Sequence, residues 1–206
     1  MFVKICGITR VEDAIAAVEA GANALGFVFW PKSPRFVDPY RARTIVMSLP
    51  PFITPVGLFV NQPADYVNGV ATLVRLGAVQ LHGDETPEDA DAITRPVIRA
   101  ITTADAAIAW PARVTLLVDA QDPERRGGTG KTVDWNAAAA VAKTRRTILA
   151  GGLTPENVAD AIARVQPFGV DVSSGVEQAP GIKDRARLRA FLESVHGISN
   201  VSATRS

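Results

Sequence analysis

Two kinds of segment alternate along the chain. Short apolar runs rich in β-branched residues recur at Phe2–Cys6, Ala24–Phe29, Thr54–Val60, Ala78–Leu81, Val97–Ile101, Val114–Asp119, Thr147–Ala150 and Phe168–Val172. Most are apolar at consecutive positions, which predicts strands covered on both faces, as in a parallel sheet. The segments between them follow a helical period. In the first, Val11, Ala14, Ile15, Val18 and Ala22 fall on one side of a helix. Thr9 and Glu12 are spaced for a capping box at its start. Asp38-Pro39, Thr86-Pro87 and Thr154-Pro155 each place a proline at a first helical position, where its missing N–H costs no hydrogen bond.

A last helix is predicted from about Lys183 to Val195, with Ala186, Leu188, Phe191, Leu192 and Val195 largely along one face. After His196 the sequence GISNVSATRS is small and polar and reads as a frayed tail. The predicted organisation is therefore residues 1–196 as one folded unit and 197–206 as tail. Eight strands, each followed by a helix or helical turn, predict an α/β fold: a single, compact (β/α)8 TIM barrel. An open doubly wound sheet would want G-x-G-x-x-G after the first strand. The chain has Cys6-Gly7-Ile8-Thr9-Arg10 there.

Composition narrows the partners. The 206 residues are 47% hydrophobic and 21% charged, enough for one substantial core. A net charge of +1 offers no global attraction to nucleic acid or to a membrane surface, and leaves room for a local anion site. The one cysteine, Cys6, excludes an intramolecular disulfide and fits a reducing compartment. The start, MFVKICGITR, lacks the long apolar stretch of a secretory signal, and no run reaches transmembrane length, so a cytoplasmic protein is expected. No surplus amphipathic helix or unusual apolar loop stands out, and a monomer is expected.

In such a barrel the chemistry sits at the C-terminal ends of the strands. Polar or small residues fall there at Cys6, His82, Asp119, Gly151, Gly152, Asp171, Ser173, Ser174 and Gly175. Two long loops, Trp30 to Val37 and Gln121 to Val133, follow the second and sixth strands. Gly130-Lys131-Thr132 invites a P-loop reading, but the required earlier glycine is Arg125, so that reading is rejected. The loop reads either as a lid or as a plain surface connection. Barrels often bind phosphate through the loops after strands seven and eight. Gly151 and Gly152 in one, with Ser173, Ser174 and Gly175 in the other, favour a phosphate site over ordinary turns. Cys6 alone reads as a small buried hydrophobe. Asp119, closing VTLLVD, reads as a general acid whose burial would keep it protonated. His82 is either a ligand contact or a satisfied strand-end histidine, and Arg35 either a solvated cation or a carboxylate clamp.

Several stretches in order, VKICGIT, GANALGFVFWPKSPRFV, VGLFVN, QLHG, LLVDA, GGTGKTVDW, LAGGLTPENV and GVDVSSGVE, resemble the phosphoribosylanthranilate isomerase family across nearly the whole chain. One departure is Val133 before Asp134-Trp135, where the family commonly has an aromatic, and it bears on the packing of the lid. The resemblance implies an Amadori rearrangement of a phosphorylated small-molecule substrate in tryptophan biosynthesis, with no metal or organic cofactor. It implies Cys6 as general base, Asp119 as general acid, Arg35 as the holder of the anthranilate carboxylate, and His82 and Asp171 as substrate-binding residues of the same mouth. Competing readings are a related phosphosugar isomerase of the histidine pathway, an indole-glycerol-phosphate synthase-like barrel, and a non-catalytic phosphate-binding barrel. The first would want an aspartate near Cys6, the second a lysine and glutamate set at strand ends. The third would not need Cys6 and Asp119 together.

Overall fold

The structure, a computed structural model, describes residues 1–103, 105–119 and 134–203, with 198–203 as backbone only. Eight parallel strands close into a barrel: β1 (Phe2–Cys6), β2 (Ala24–Val28), β3 (Thr54–Phe59), β4 (Ala78–Leu81), β5 (Val97–Ile101), β6 (Thr115–Val118), β7 (Thr147–Leu149) and β8 (Gly169–Val172). The ring shuts where β1 pairs with β8, with Lys4 opposite Asp171. Helices α1 (Val11–Glu19), α2 (Pro39–Met47), α3 (Ala64–Val74), α4 (Pro87–Asp91), α5 (Trp135–Ala142), α6 (Val158–Val165) and α7 (Arg185–Ala203) lie between and after the strands. A 3-10 turn, Asp105–Ala107, follows β5. After β8 a 3-10 turn, Ser174–Val176, leads into a small hairpin, β9 (Glu177–Ala179) and β10 (Ile182–Lys183).

The consecutive apolar runs follow from burial on both faces of each strand. Side chains alternate along a strand, so Val3 and Ile5 point outward into the layer shared with the helices. The interior holds Ala24, Val56, Ala78, Ile98, Leu117 and Ile148, one from each of β2 to β7. On β1 the interior positions are instead Lys4 and Cys6, both buried. The barrel therefore places a charged side chain where β2 to β7 supply aliphatic ones.

Helix starts agree with the sequence in two cases and differ in two. Asp38 caps α2 by accepting from Tyr40 N and Arg41 N, and Thr86 forms a capping box with Asp89. The expected box at Thr9 and Glu12 does not form. Arg10 holds the cap position, and the Thr9 hydroxyl donates instead to the Gly181 carbonyl at 2.6 Å. Residues 155–157 form a turn before α6, whose cap is Asn157, with Asn157 Oδ1 accepting from Thr154 N.

The last helix also differs. Lys183 belongs to β10, and α7 starts at Arg185, with Asp184 Oδ1 accepting from Ala186 N and Arg187 N. Leu188, Phe191, Leu192 and Val195 are buried, but Ala186 is exposed. The helix runs on to Ala203, so the boundary expected after residue 196 falls inside it. Gly197 lies at that point, and a lone glycine costs a helix about 1 kcal/mol without ending it.

Two glycine substitutions separate helix propensity from packing. Gly69 in α3 has open space around its Cβ position, so Gly69→Ala is expected to raise stability by about 0.5–1 kcal/mol in urea unfolding. A Cβ on Gly175 would lie 1.9 Å from the Leu153 carbonyl oxygen, so Gly175→Ala is expected to lower stability in the same assay.

Candidate active site

The site grows out of the interior face of β1. Lys4 Nζ donates to Asp171 Oδ1 at 2.8 Å, and the same ammonium interacts electrostatically with the Cys6 thiol. Lys4 is 0% and Cys6 5% exposed. Room for the sulfur comes from Gly26, which pairs with Cys6 across β1 and β2; a Cβ there would sit 2.8 Å from Sγ. Burial works to lower the Lys4 pKa, but Asp171 and Cys6 outweigh it and hold the ammonium above its ordinary value. For Cys6, burial pushes the thiol up, Lys4 and Lys183 pull it down, and Asp171 pushes it up again. The balance stays above the ordinary value, so a positive neighbour alone does not free the thiolate in the ligand-free protein.

Asp119 is the first residue beyond β6 and is 8% exposed. His82 Nε2 lies 3.5 Å from Asp119 Oδ2, and Gln80 Nε2 lies 2.8 Å from His82 Nδ1. With the amide nitrogen donating to Nδ1, the ring proton is assigned to Nε2, facing the carboxylate. A cleft of about 40 Å³ joins Asp119 and Asp171 to Ala150, Gly151, Gly152 and Leu153 on one side and to Val172, Ser173, Ser174 and Gly175 on the other. Asp119 and both candidate phosphate loops therefore share one basin. Gly151 and Gly152 have φ of 78° and 65°, backbone angles that favour glycine, and the Gly152 carbonyl accepts from Asn157 Nδ2 at 2.9 Å. A larger cavity of about 500 Å³, around Arg95, Pro96 and Arg113, lies by the N-terminal ends of β5 and β6 and contains none of these residues.

Arg35, in the loop after β2, reaches over to Glu177. Its Nε donates to both carboxylate oxygens, at 3.0 and 3.2 Å, and Nη2 donates to Oε2 at 2.7 Å. Lys183 Nζ donates to Glu177 Oε1 at 2.9 Å, to the Cys6 carbonyl at 2.5 Å and to the Ser173 carbonyl at 3.2 Å. Burial works to raise the Glu177 carboxyl, but Arg35 and Lys183 prevail and hold it below the usual range. Burial also draws Lys183 below its ordinary value, which the attraction of Glu177 only partly offsets.

The candidate residues thus fall into linked groups. Cys6 and Asp171 meet through Lys4, and Asp171 and Asp119 line the same cleft. His82 faces Asp119, and Arg35 joins the Cys6 backbone through Glu177 and Lys183. The loop 121–133, read as a lid or connection, lies outside the described residues. Sequence reasoning missed Lys4, Gly26, Glu177 and Lys183. The signal for Lys4 was a lysine inside an apolar strand. Glu177 closed the GVDVSSGVE stretch but carried no pattern of its own, and Lys183 was assigned to a helix.

Against known proteins, the sequence model of the N-(5'-phosphoribosyl)anthranilate isomerase family matches residues 3–194. The chain is similar to the N-(5'-phosphoribosyl)anthranilate isomerase of Geobacter sulfurreducens, 54% identical over 199 residues that cover 95% of this chain and 98% of that protein. It is also similar to the crystal structure of phosphoribosyl anthranilate isomerase from Thermotoga maritima, with TM-score 0.89, 43% identity, and 96% and 99% of the two chains covered. A further structure describes monomers generated from that dimeric Thermotoga maritima protein. Another similar structure holds reduced 1-(o-carboxyphenylamino)-1-deoxyribulose 5-phosphate, with TM-score 0.86, 41% identity, and coverage of 96% and 99%.

With one cysteine in the chain, the ultraviolet titration signal that is lost in Cys6→Ser reports the Cys6 thiolate. Its titration midpoint is expected above the free-thiol value of about 8.5, and Lys4→Met is expected to move it higher. The folded thiol holds its proton more tightly than the unfolded one. Its contribution to stability is therefore present below a pH of about 8.5 and lost as pH rises through the folded midpoint. A midpoint below that of a free thiol contradicts this balance.

Proposed function

The chain belongs to the N-(5'-phosphoribosyl)anthranilate isomerase family, and on that premise we propose that Cys6 and Asp119 are the base and acid of its reaction. The protein is an aldose-ketose isomerase of tryptophan biosynthesis. It converts N-(5'-phosphoribosyl)anthranilate to 1-(2-carboxyphenylamino)-1-deoxyribulose 5-phosphate by an Amadori rearrangement. The observation that carries the residue assignment is the shared cleft. Asp119 and Asp171 line it with Gly151, Gly152, Ser173, Ser174 and Gly175, and Lys4 joins Asp171 to Cys6.

In this reading the 5-phosphate binds between the Gly151-Gly152 and Ser173–Gly175 loops, which brings the ribose ring against the acid. Asp119 gives its proton to the ring oxygen as the C1–O bond breaks, and the anthranilate nitrogen supplies the electron pair that makes the iminium. That positive charge acidifies the C2–H. Cys6, as thiolate, takes the C2 proton, and the enolamine passes to the ketone. Burial favours the protonated thiol at rest, and Lys4 and Lys183 are the nearby charges that favour the thiolate. His82 orients the Asp119 carboxyl, Asp171 fixes Lys4 while facing the substrate, and Arg35 binds the anthranilate carboxylate. The working unit in this proposal is a monomer, although the similar Thermotoga maritima protein is described as dimeric. No helix among the described residues is long and apolar enough to cross a membrane; the biosynthetic role is what supports the cytoplasm as the place of reaction.

Cys6→Ser and Asp119→Asn are each expected to lower kcat by roughly a hundredfold or more while product affinity is retained. Full turnover by Cys6→Ser removes the base assignment. Because Asp119 must hold its proton while Cys6 must lose one, kcat/KM is expected to fall at both extremes of pH, and an alkaline limb that Lys4→Met leaves unmoved counts against Cys6. Inorganic phosphate is expected to raise the melting temperature of the wild type, and much less that of a Gly152→Val variant.

A further inference from the structure

A guanidinium offers two edges to planar anions, one formed by Nε and one Nη, the other by both Nη groups. In this protein the first edge of Arg35 is filled. Glu177 takes Nε and Nη2 in three contacts of 2.7 to 3.2 Å, and no described residue bonds Nη1. Glu177 is itself anchored, by Lys183 Nζ at 2.9 Å and by the Gly181 N–H at 3.2 Å. The side chains of Glu177 and Lys183 are 4% and 0% exposed, so the anchor is fixed within the protein. Arg35, 11% exposed, is the member that reaches the surface.

We propose that Glu177 is a positioning residue for the substrate's carboxylate: it grips the inner edge of Arg35 and so presents the outer edge to the anthranilate group. The inference rests on reading Arg35 as the carboxylate clamp. Charge supports it. Two cations, Arg35 and Lys183, surround one anion, Glu177, so the cluster carries one surplus positive charge until a second carboxylate arrives. A ligand carboxylate on the outer edge balances that charge without displacing Glu177. An N-aryl ribosyl phosphate lacking the carboxylate leaves it unbalanced, which makes the cluster a selector for the acid. Lys183 also holds the carbonyls of Cys6 and Ser173, so the selector is tied to the base strand and to the phosphate loop.

Steady-state kinetics of the full chain test this with Arg35→Ala, Glu177→Gln and the double variant. Glu177→Gln is expected to raise KM about tenfold with kcat within about threefold, and to add nothing to KM once Arg35 is alanine. An unchanged KM in Glu177→Gln beside a raised KM in Arg35→Ala overturns the positioning role and leaves the clamp standing. An unchanged KM in Arg35→Ala removes the clamp, and the inference with it. If Glu177→Gln does not fold, the wild type decides by 15N NMR with reduced 1-(o-carboxyphenylamino)-1-deoxyribulose 5-phosphate as probe. The Arg35 Nε–H is expected to stay protected from exchange before and after binding, while the Nη1 protons gain protection only on binding. Loss of Nε–H protection on binding means that the ligand replaces Glu177, and overturns the proposal.

Discussion

A charged amine inside the barrel is tolerable only if it is paired, and the Lys4–Asp171 contact is the pair on which the rest of the interior depends. Removing either partner leaves the other as an uncompensated buried charge, a loss that typically costs about 3–5 kcal/mol. The contact spans the β1–β8 seam at which the barrel closes. The same ammonium faces the Cys6 sulfur. Closure of the fold and electrostatic control of the thiol are therefore one arrangement rather than two.

A second buried ammonium extends the scheme outward. Lys183 reaches the fold's centre from the hairpin after β8, and its backbone N–H is held by Asp13 of α1. Its side chain fastens the carbonyls at the ends of β1 and β8, and through Glu177 it steadies Arg35. Two lysines, each tied to a carboxylate, thus support the mouth of the barrel from below and from the side. The interior beneath them is buried and aliphatic, and charge pairs in such surroundings interact more strongly than at the surface.

The fold was legible because its dominant force is periodic. Consecutive apolar runs mark doubly covered strands, and β1, β4 and β5 lie where the hydrophobic pattern places them, residue for residue. Ends were less legible, because they are decided by partners distant in sequence. The Thr9 hydroxyl serves Gly181 rather than its own helix, and no local rule contains that choice. At the site, Cys6, Asp119 and the small residues of the last two loops stood out as strand-end chemistry on an aliphatic background. Lys4, Glu177 and Lys183 did not, because their meaning lies in pairing across 167 residues for Lys4 with Asp171 and 177 for Lys183 with the Cys6 carbonyl. Gly26 was silent for a related reason: its lack of a side chain matters only once the register sets it beside the sulfur.

The seam has a consequence for how the molecule is made. The thiol lies on the first strand of the barrel, whereas Asp171 lies on the eighth and Glu177 and Lys183 follow it. Until β8 is in place, Lys4 lacks its counter-ion, and its desolvation opposes collapse of β1 into a closed interior. A polypeptide that stops short of β8 therefore lacks the counter-ion that offsets the burial of Lys4. The electrostatic surroundings of the thiol are complete only in the closed ring.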